Sequence, residues 1–89
     1  MRAIITVIGC DMVGIIARVS AILAANNVNI LDISQSVLQE FFAMVMLVDL
    51  AKCEAPFADL QAKLEEGGRE LGMTVRIQHE AVFQAMHRI

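Results

Sequence analysis

The sequence predicts an α+β sandwich in which an antiparallel four-stranded sheet carries two helices on one face, in the order βαββαβ, followed by a short C-terminal helix. Two apolar runs, residues 3–8 and 41–48, have the length and composition of buried strands. Two segments with apolar residues at helical spacing separate the strand-like runs. Residues 73–79 alternate between apolar and polar side chains, as a half-exposed strand does.

The first strand and helix are joined by a short turn with a glycine at each end, Gly9 and Gly14. The strand, residues 2–8, is apolar on both faces, and the helical spacing predicts a helix over residues 14–25. Asn26 and Asn27 end it, since asparagine tolerates the left-handed conformation at a helix C-terminus. Such a strand–turn–helix directs the free N–H groups of a helix N-terminus toward a cleft, where a carboxylate or phosphate can bind.

The second strand, residues 28–38, changes its alternation phase between Ile30 and Leu31, which predicts a bulge or a kink. Gln39 and Glu40 form a tight reversal into the third strand, although they lack the glycine or asparagine that such turns prefer. The third strand, residues 41–50, is apolar on both faces.

Pro56 fits the first turn of the second helix, and Gly72 is its stop signal. Gly67 and Gly68 weaken that helix by about 1 kcal/mol each unless close packing there excludes a side chain. The residues expected on its buried face are Phe57, Leu60, Leu64 and Leu71.

The fourth strand, residues 73–79, is expected at a sheet edge, and residues 80–89 form a short amphipathic helix. The residues on the apolar side of this helix are Val82, Phe83, Met86 and Ile89. Right-handed crossovers place the first and third strands in the centre of a ferredoxin-like sandwich. The terminal helix and a second subunit are the candidates to cover the other face of the sheet.

Composition points to a single domain, residues 1–89, that associates with itself. The apolar fraction is 57%, above the ~45–50% usual for soluble domains, and so short a chain cannot bury it alone. We therefore expect a homodimer or larger assembly. No apolar run reaches the ~20 residues of a membrane span, and no secretory signal is recognisable, so we expect no membrane partner and a cytoplasmic location.

The net charge and the residues capable of metal binding or catalysis argue against several functions. A net charge of −3 with seven scattered Lys and Arg residues argues against nucleic acid binding.

Cys10 and Cys53, 43 positions apart, are expected to pack as small apolar residues. His79 and His87 are expected to be structural or surface residues rather than metal ligands. Met44, Met46, Met73 and Met86 are expected to fill the core and interfaces. No catalytic arrangement is evident from spacing, so we expect neither an enzyme nor a cofactor or metal site.

The chain resembles a known family, the ACT domains, which are small regulatory domains that bind amino acids. The pattern G-x-D-x-x-G-I at residues 9–15, the helix after it, and N-x-N-I-x-D-I-S-Q at residues 27–35 carry the resemblance. It extends over the whole chain and includes A-x-F-x-A-M at residues 81–86. It is closest to stand-alone single-ACT proteins of bacteria and archaea. One departure is Val13, where many ACT domains place a proline.

The resemblance implies that an amino acid binds between the first strand–helix loop and the start of the second strand, often at a dimer interface. The loop side would comprise Asp11, Met12, Val13, Gly14 and Ile15, and the strand side Asn29 and Ile30. The N–H groups of Gly14 and Ile15 could bind the carboxylate. The oxygens of Asp11 and Asn29 could accept from the ammonium group.

Each of these residues also has a structural interpretation. Gly14 could serve close packing, Asp11 could cap the helix, and Asn29 could satisfy backbone groups near the bulge. Asp32 and Ser34 are expected to face solvent or bond locally rather than line a pocket. The alternative function is an interaction module that oligomerises without any ligand.

Overall fold

The computed structural model describes residues 1–10 and 13–86, which form four strands and three helices. In chain order they are β1 (Arg2–Gly9), α1 (Val13–Ala25), β2 (Asn29–Leu38), β3 (Phe41–Asp49), α2 (Phe57–Glu70), β4 (Thr74–His79) and α3 (Glu80–Met86). The predicted order is confirmed. Within the described part of the chain, no helix has the length and apolar character needed to cross a bilayer.

The sheet is antiparallel throughout, with the strands in the order β2-β3-β1-β4. β1 and β3 occupy the centre, as their two apolar faces predicted, and β4 lies at an edge. Both central strands bury the residues of one face against the helices, whereas the opposite face is more open. The core residues from these two strands are Ala3, Ile5, Val7, Phe42, Met44, Met46 and Val48.

Helices α1 and α2 complete the core from one side of the sheet. Ile15, Val19 and Leu23 of α1 and Leu60 and Leu64 of α2 are each at most 1% exposed. The predicted core role of the methionines is confirmed for Met44, Met46 and Met73, all buried; the side chain of Met86 lies outside the described part.

The turns around β2 explain why its sequence changes phase. Asn27 ends α1 with φ of 58°, in the left-handed region that asparagine tolerates. The pairing of β2 with β3 then shifts register between Ile30 and Asp32, so Leu31 is the extra residue of a β-bulge. The predicted phase change is therefore a real irregularity of the strand.

Gln39 and Glu40 form the predicted reversal between β2 and β3. Gln39 has φ of 55°, whereas Glu40 is not among the positive-φ residues of the described chain. A positive φ at the first central residue alone is the pattern of a type II′ turn, whose first position favours glycine. Gln39 thus occupies a strained position.

α2 differs from its predicted limits at both ends. Pro56 is the N-cap residue, with φ −58° and ψ 148°, so it precedes the first helical turn rather than occupying it. Leu71 is the C-cap and 40% exposed, so its assignment to the buried face was wrong, because the helix ends one residue before it. Gly72, with φ of 71°, provides the predicted stop.

The two glycines of α2 are buried where the helix meets its neighbours. A Cβ on Gly67 would lie 3.0 Å from Ile22 of α1, and one on Gly68 would lie 2.5 Å from Cγ2 of Val75 on β4. Close packing therefore excludes a side chain at Gly68 and leaves little room for one at Gly67, so the condition stated from the sequence is met most clearly at Gly68.

α3 contacts β1 and β4 and begins with an ion pair between Glu80 and Arg2, at 2.7 Å. Arg2 alternates with the buried residues of β1, so the start of α3 lies on the open side of the sheet. Phe83 is half-buried, but Val82 is 49% exposed, and its predicted burial was wrong. The helix is only seven residues long and cannot bury every apolar side chain that it carries. Its predicted final residues, 87–89, lie outside the described part.

Candidate functional site

The predicted loop side of the site follows the end of β1. Gly9, the last residue of β1, pairs with Phe42, which in turn pairs with Val37. α1 begins four positions later, at Val13. The first four N–H groups of any helix lack acceptors within the helix, and they carry partial positive charge. Asp11 and Met12 lie outside the described residues, as does the side chain of Val13.

Gly14 lies in the first turn of α1, where the described residues leave room for a Cβ. A Cβ built on it would lie 3.5 Å from Cδ2 of Leu71, which is ordinary van der Waals contact. Packing against the residues that the structure describes therefore does not require glycine at this position, in contrast to Gly68. Leu71 was not among the predicted site residues, because the sequence pattern placed it in the core.

Ile15 is fully buried against the sheet. Its side chain cannot reach a ligand at the surface, so any contribution from this residue comes from its backbone N–H. The predicted role, donation to a carboxylate, requires only that group.

The predicted strand side of the site lies at the other end of the sheet. Asn29 pairs with Asp49, and Asp49 pairs with Arg2, the first residue of β1. Gly9 is seven residues further along β1, a distance of about 23 Å at the rise of an antiparallel strand. A single protomer therefore does not bring Asn29 and Ile30 together with the turn after Gly9.

The surroundings of Asn29 are polar. It is exposed and lines a surface depression of about 500 Å³ together with Asn27, Asp49 and Lys52. The Asp49 carboxylate accepts from the N–H of Ala51 at 2.9 Å. Ile30, in contrast, is half-buried and packs against the core. Asp49 and Lys52 were not predicted as neighbours of Asn29, because the pairing of β2 with β3 sets their position.

The remaining polar candidates behave as expected. Asp32 is exposed and accepts from the N–H of Ile33 at 2.9 Å, so it bonds locally, and Ser34 is exposed. His79 stacks on Phe57 with ring centroids 4.1 Å apart, a structural role. In residues 1–10 and 13–86, no group of three or more potential metal ligands comes together.

The prediction that both cysteines pack as small apolar residues is confirmed for Cys53 and wrong for Cys10. Cys53 is half-buried and packs against the core, but Cys10 is exposed at the end of β1. The expectation of burial was wrong for Cys10 because this residue has already left the sheet.

Comparison with known proteins identifies the family. The ACT domain profile matches residues 2–78. A UPF0237 protein of Methanocaldococcus jannaschii is 51% identical over 88 residues, which cover 99% of this chain and 98% of that protein. That protein therefore has little beyond one such domain, as the resemblance to stand-alone ACT proteins predicted.

Solved structures share the fold. An ACT domain protein from Streptococcus pneumoniae is 42% identical, with a TM-score of 0.80 and coverage of 98% of both chains. The regulatory subunit of aspartate kinase from Thermus thermophilus is 27% identical, with a TM-score of 0.64 over 86% of this chain and 50% of that one. The sandwich is thus the ferredoxin-like fold of these regulatory domains, and the chain belongs to the ACT domain family.

Proposed function

We propose that this protein is a cytoplasmic, homodimeric regulatory module that binds an amino acid between two protomers. The ligand would lie beside Asp11, Met12, Val13, Gly14 and Ile15 of one protomer and face Asn29 and Ile30 of the other. ACT domains are regulatory ligand-binding modules, and the aspartate kinase neighbour is by its name a regulatory subunit. A partner protein would receive the signal.

One observation carries the proposal: glycine occupies position 14 although the described residues leave room for a Cβ there. A glycine in the interior of a helix lowers stability by about 0.5–1 kcal/mol relative to alanine, and Gly14, in the first turn, costs at most that amount. A ligand that approaches the backbone closely gives a reason for this residue that packing does not give.

The separation of the two predicted halves supports a shared site. Asn29 and Gly9 mark opposite ends of the sheet in one protomer. A single amino acid is far too small to span about 23 Å. If both halves contact one ligand, two protomers must contribute, and this requirement agrees with self-association of so apolar a chain.

Few interactions are needed for useful affinity. The dipole of α1 favours an anion by about 0.3–1 kcal/mol, and each hydrogen bond to a charged ligand group contributes about 1.5–3 kcal/mol. Micromolar binding corresponds to about 8.2 kcal/mol. About three to five such hydrogen bonds are therefore sufficient.

The test begins with a thermal-shift screen against the twenty amino acids, because a ligand that binds only the folded state raises the melting temperature. Calorimetry on Asp11→Ala should then show that an amine-bearing ligand is weakened much more than a plain carboxylic acid. A ligand whose affinity is unchanged by Asp11→Ala and Asn29→Ala together would place the site elsewhere.

A second candidate function is an interaction module that has no ligand. It is favoured by the seven consecutive exposed residues of β2, 31–37, three of which are large and apolar. The absence of any amino acid binding at millimolar concentration, in a chain that still dimerises, would support this alternative.

A further inference from the structure

We propose that the free edge of β4 binds an extended acidic segment of a partner protein, which adds to the sheet as a further strand and pairs two successive carboxylates with Arg69 and Arg76. The inference rests on the proposed function in one respect, that a regulatory module needs a surface for the protein that receives its signal. Its test requires no amino acid, so each proposal can fail without the other.

β4 forms the edge of the sheet opposite to β2. It pairs with β1 on one side, and no strand of the described chain lies on the other. A groove of about 500 Å³ follows this free side. The groove is lined by the consecutive residues 73–78 and by Gln61, Glu65 and Arg69 of α2. Because nearly the whole strand borders the groove, an extended chain can lie along it.

α2 forms the wall of the groove on the helix side of the sheet. Gln61, Glu65 and Arg69 are spaced by four residues, so they lie on one face of the helix. The helix packs closely on β4 at Gly68, where an added Cβ would lie 2.5 Å from Val75. Arg69, the next residue, is therefore held near the level of Val75.

Arg76 lies on the other side of the sheet. It pairs with Thr6 of β1, which alternates with the core residues Ile5 and Val7, so Arg76 belongs to the open face. The two arginines thus line one groove from opposite faces of the β4 edge. Both are exposed, and neither forms an ion pair within residues 1–10 and 13–86.

The charge of the groove favours an acidic occupant. Its lining contains two arginines and one carboxylate, Glu65, in a chain whose net charge is −3. A positive surface attracts an acidic segment more strongly than a neutral one and also suppresses binding of a basic one.

Strand geometry determines where the acidic residues of the partner lie. Successive side chains of a strand point to opposite faces of the sheet. A strand added beside β4 would therefore present one carboxylate to Arg69 on the helix side and the next to Arg76 on the open side. Arginine–carboxylate pairs form two parallel hydrogen bonds, and main-chain hydrogen bonds to the strand edge supply the remaining affinity. The expected segment is extended and β-branched, with two successive acidic residues.

A second copy of this chain fits the edge less well. In a symmetric antiparallel pair of β4 strands, residues that lie opposite each other share a face, so the two-fold axis passes through a residue position. An axis at Arg76 would place its two copies directly opposite, and like charges so arranged destabilise a sheet. An axis one position away would leave them about 8 Å apart on the same face. The acidic segment is therefore the better occupant.

Fluorescence anisotropy with a labelled peptide, T-V-T-V-E-E-V-T-V, tests the role of the charges. The wild type should bind this peptide about tenfold more tightly than the matched peptide T-V-T-V-Q-Q-V-T-V. Arg69→Gln and Arg76→Gln should each weaken binding of the Glu–Glu peptide about threefold. Lys63→Gln removes a positive charge from the side of α2 that faces Asn26, and it should leave the affinity unchanged. Equal affinity for the two peptides, or arginine variants that bind as tightly as Lys63→Gln, would overturn the proposal.

Hydrogen exchange and backbone methylation test the strand addition. With the Glu–Glu peptide bound, amides within residues 74–78 should exchange more slowly, whereas those of residues 31–37 should not change. Residues of a paired strand direct their N–H groups alternately to its two edges. Of two Glu–Glu peptides N-methylated at alternate residues in the two possible phases, one should therefore lose binding. Protection of residues 31–37 instead, or full affinity of both methylated peptides, would overturn the proposal whether or not an amino acid binds.

Discussion

Gly14 and Gly68 both lie in helices, yet the space around them differs. A Cβ on Gly68 would lie 2.5 Å from Val75 and 3.0 Å from the carbonyl oxygen of Met73, whereas a Cβ on Gly14 would make an ordinary contact with Leu71. Packing explains Gly68, and packing among the described residues gives no reason for Gly14. The proposed ligand is the reason that we offer for Gly14.

The substitution Gly14→Ala separates these two kinds of glycine. We expect the free energy of unfolding to stay the same or to rise by about 0.5–1 kcal/mol, because alanine favours the helix. The affinity for the amino acid should fall, since a methyl group would hinder the approach to the backbone. Chemical denaturation and calorimetry measure the two quantities. Unchanged affinity would remove Gly14 from the site.

Gln39 offers a second test at the residue scale. It holds φ of 55° in the β2–β3 turn, where an L-residue costs about 1–2 kcal/mol and glycine does not. Gln39→Gly should therefore raise the free energy of unfolding by about 1 kcal/mol. Glu40→Gly, one position later and without a positive φ, is the matched control and should lower it. An equal effect of both substitutions would contradict the type II′ assignment.

At the scale of the elements, periodicity predicted most of the fold. β1 and β3 have two apolar faces and lie in the centre, and the phase change of β2 became the bulge at Leu31. Predictions failed where an element ends. The apolar pattern of α2 extends to Leu71, and that of α3 includes Val82, yet both side chains are exposed. Apolar periodicity identifies the face of a helix that packs on the core, but it does not show which residues of that face are actually buried.

The candidate site was less predictable than the fold. The turn before α1 is a local feature, so the residues around Gly9 and Gly14 indicate it directly. The distance between this turn and Asn29 depends on the pairing of β2 with β3 and of β3 with β1. That pairing is not local, and the sequence alone did not reveal that the two halves lie at opposite ends of one sheet.

The packing of α2 on β4 provides a test at this scale. Gly68→Ala should lower the free energy of unfolding by about 1–3 kcal/mol, because the added methyl group would displace α2 from Val75. Ala62→Gly, at an exposed position of the same helix, should cost only about 1 kcal/mol, the propensity difference. A Gly68→Ala variant that is as stable as the wild type or more stable on urea denaturation would mean that α2 tolerates a side chain at position 68.

In the whole molecule, the excess of apolar residues and the exposed apolar side chains of β2 both favour the proposed dimer. One protomer leaves three large apolar side chains of β2 exposed and its two candidate half-sites about 23 Å apart. A symmetric dimer would remove both features together. Ligand binding should then stabilise the dimer, because binding and association are linked.

This linkage predicts that the dissociation constant of the dimer falls when a saturating amino acid is added. Sedimentation of the wild type with and without the ligand measures it. The Asp11→Ala variant should bind the ligand weakly. Its dimer dissociation constant should therefore change less when the amino acid is added. A dimer that is equally stable with and without a bound ligand would indicate that the site lies within one protomer.

Whether one ligand is shared by two protomers can be tested by mixing two variants that each bind poorly. In a heterodimer of Asp11→Ala and Asn29→Ala, one site carries both substitutions and the other carries neither. After subunit exchange of an equal mixture, calorimetry should find about one intact site per four protomers, with wild-type affinity. If the mixture binds no better than the separate variants, each site lies within a single chain and the account is contradicted.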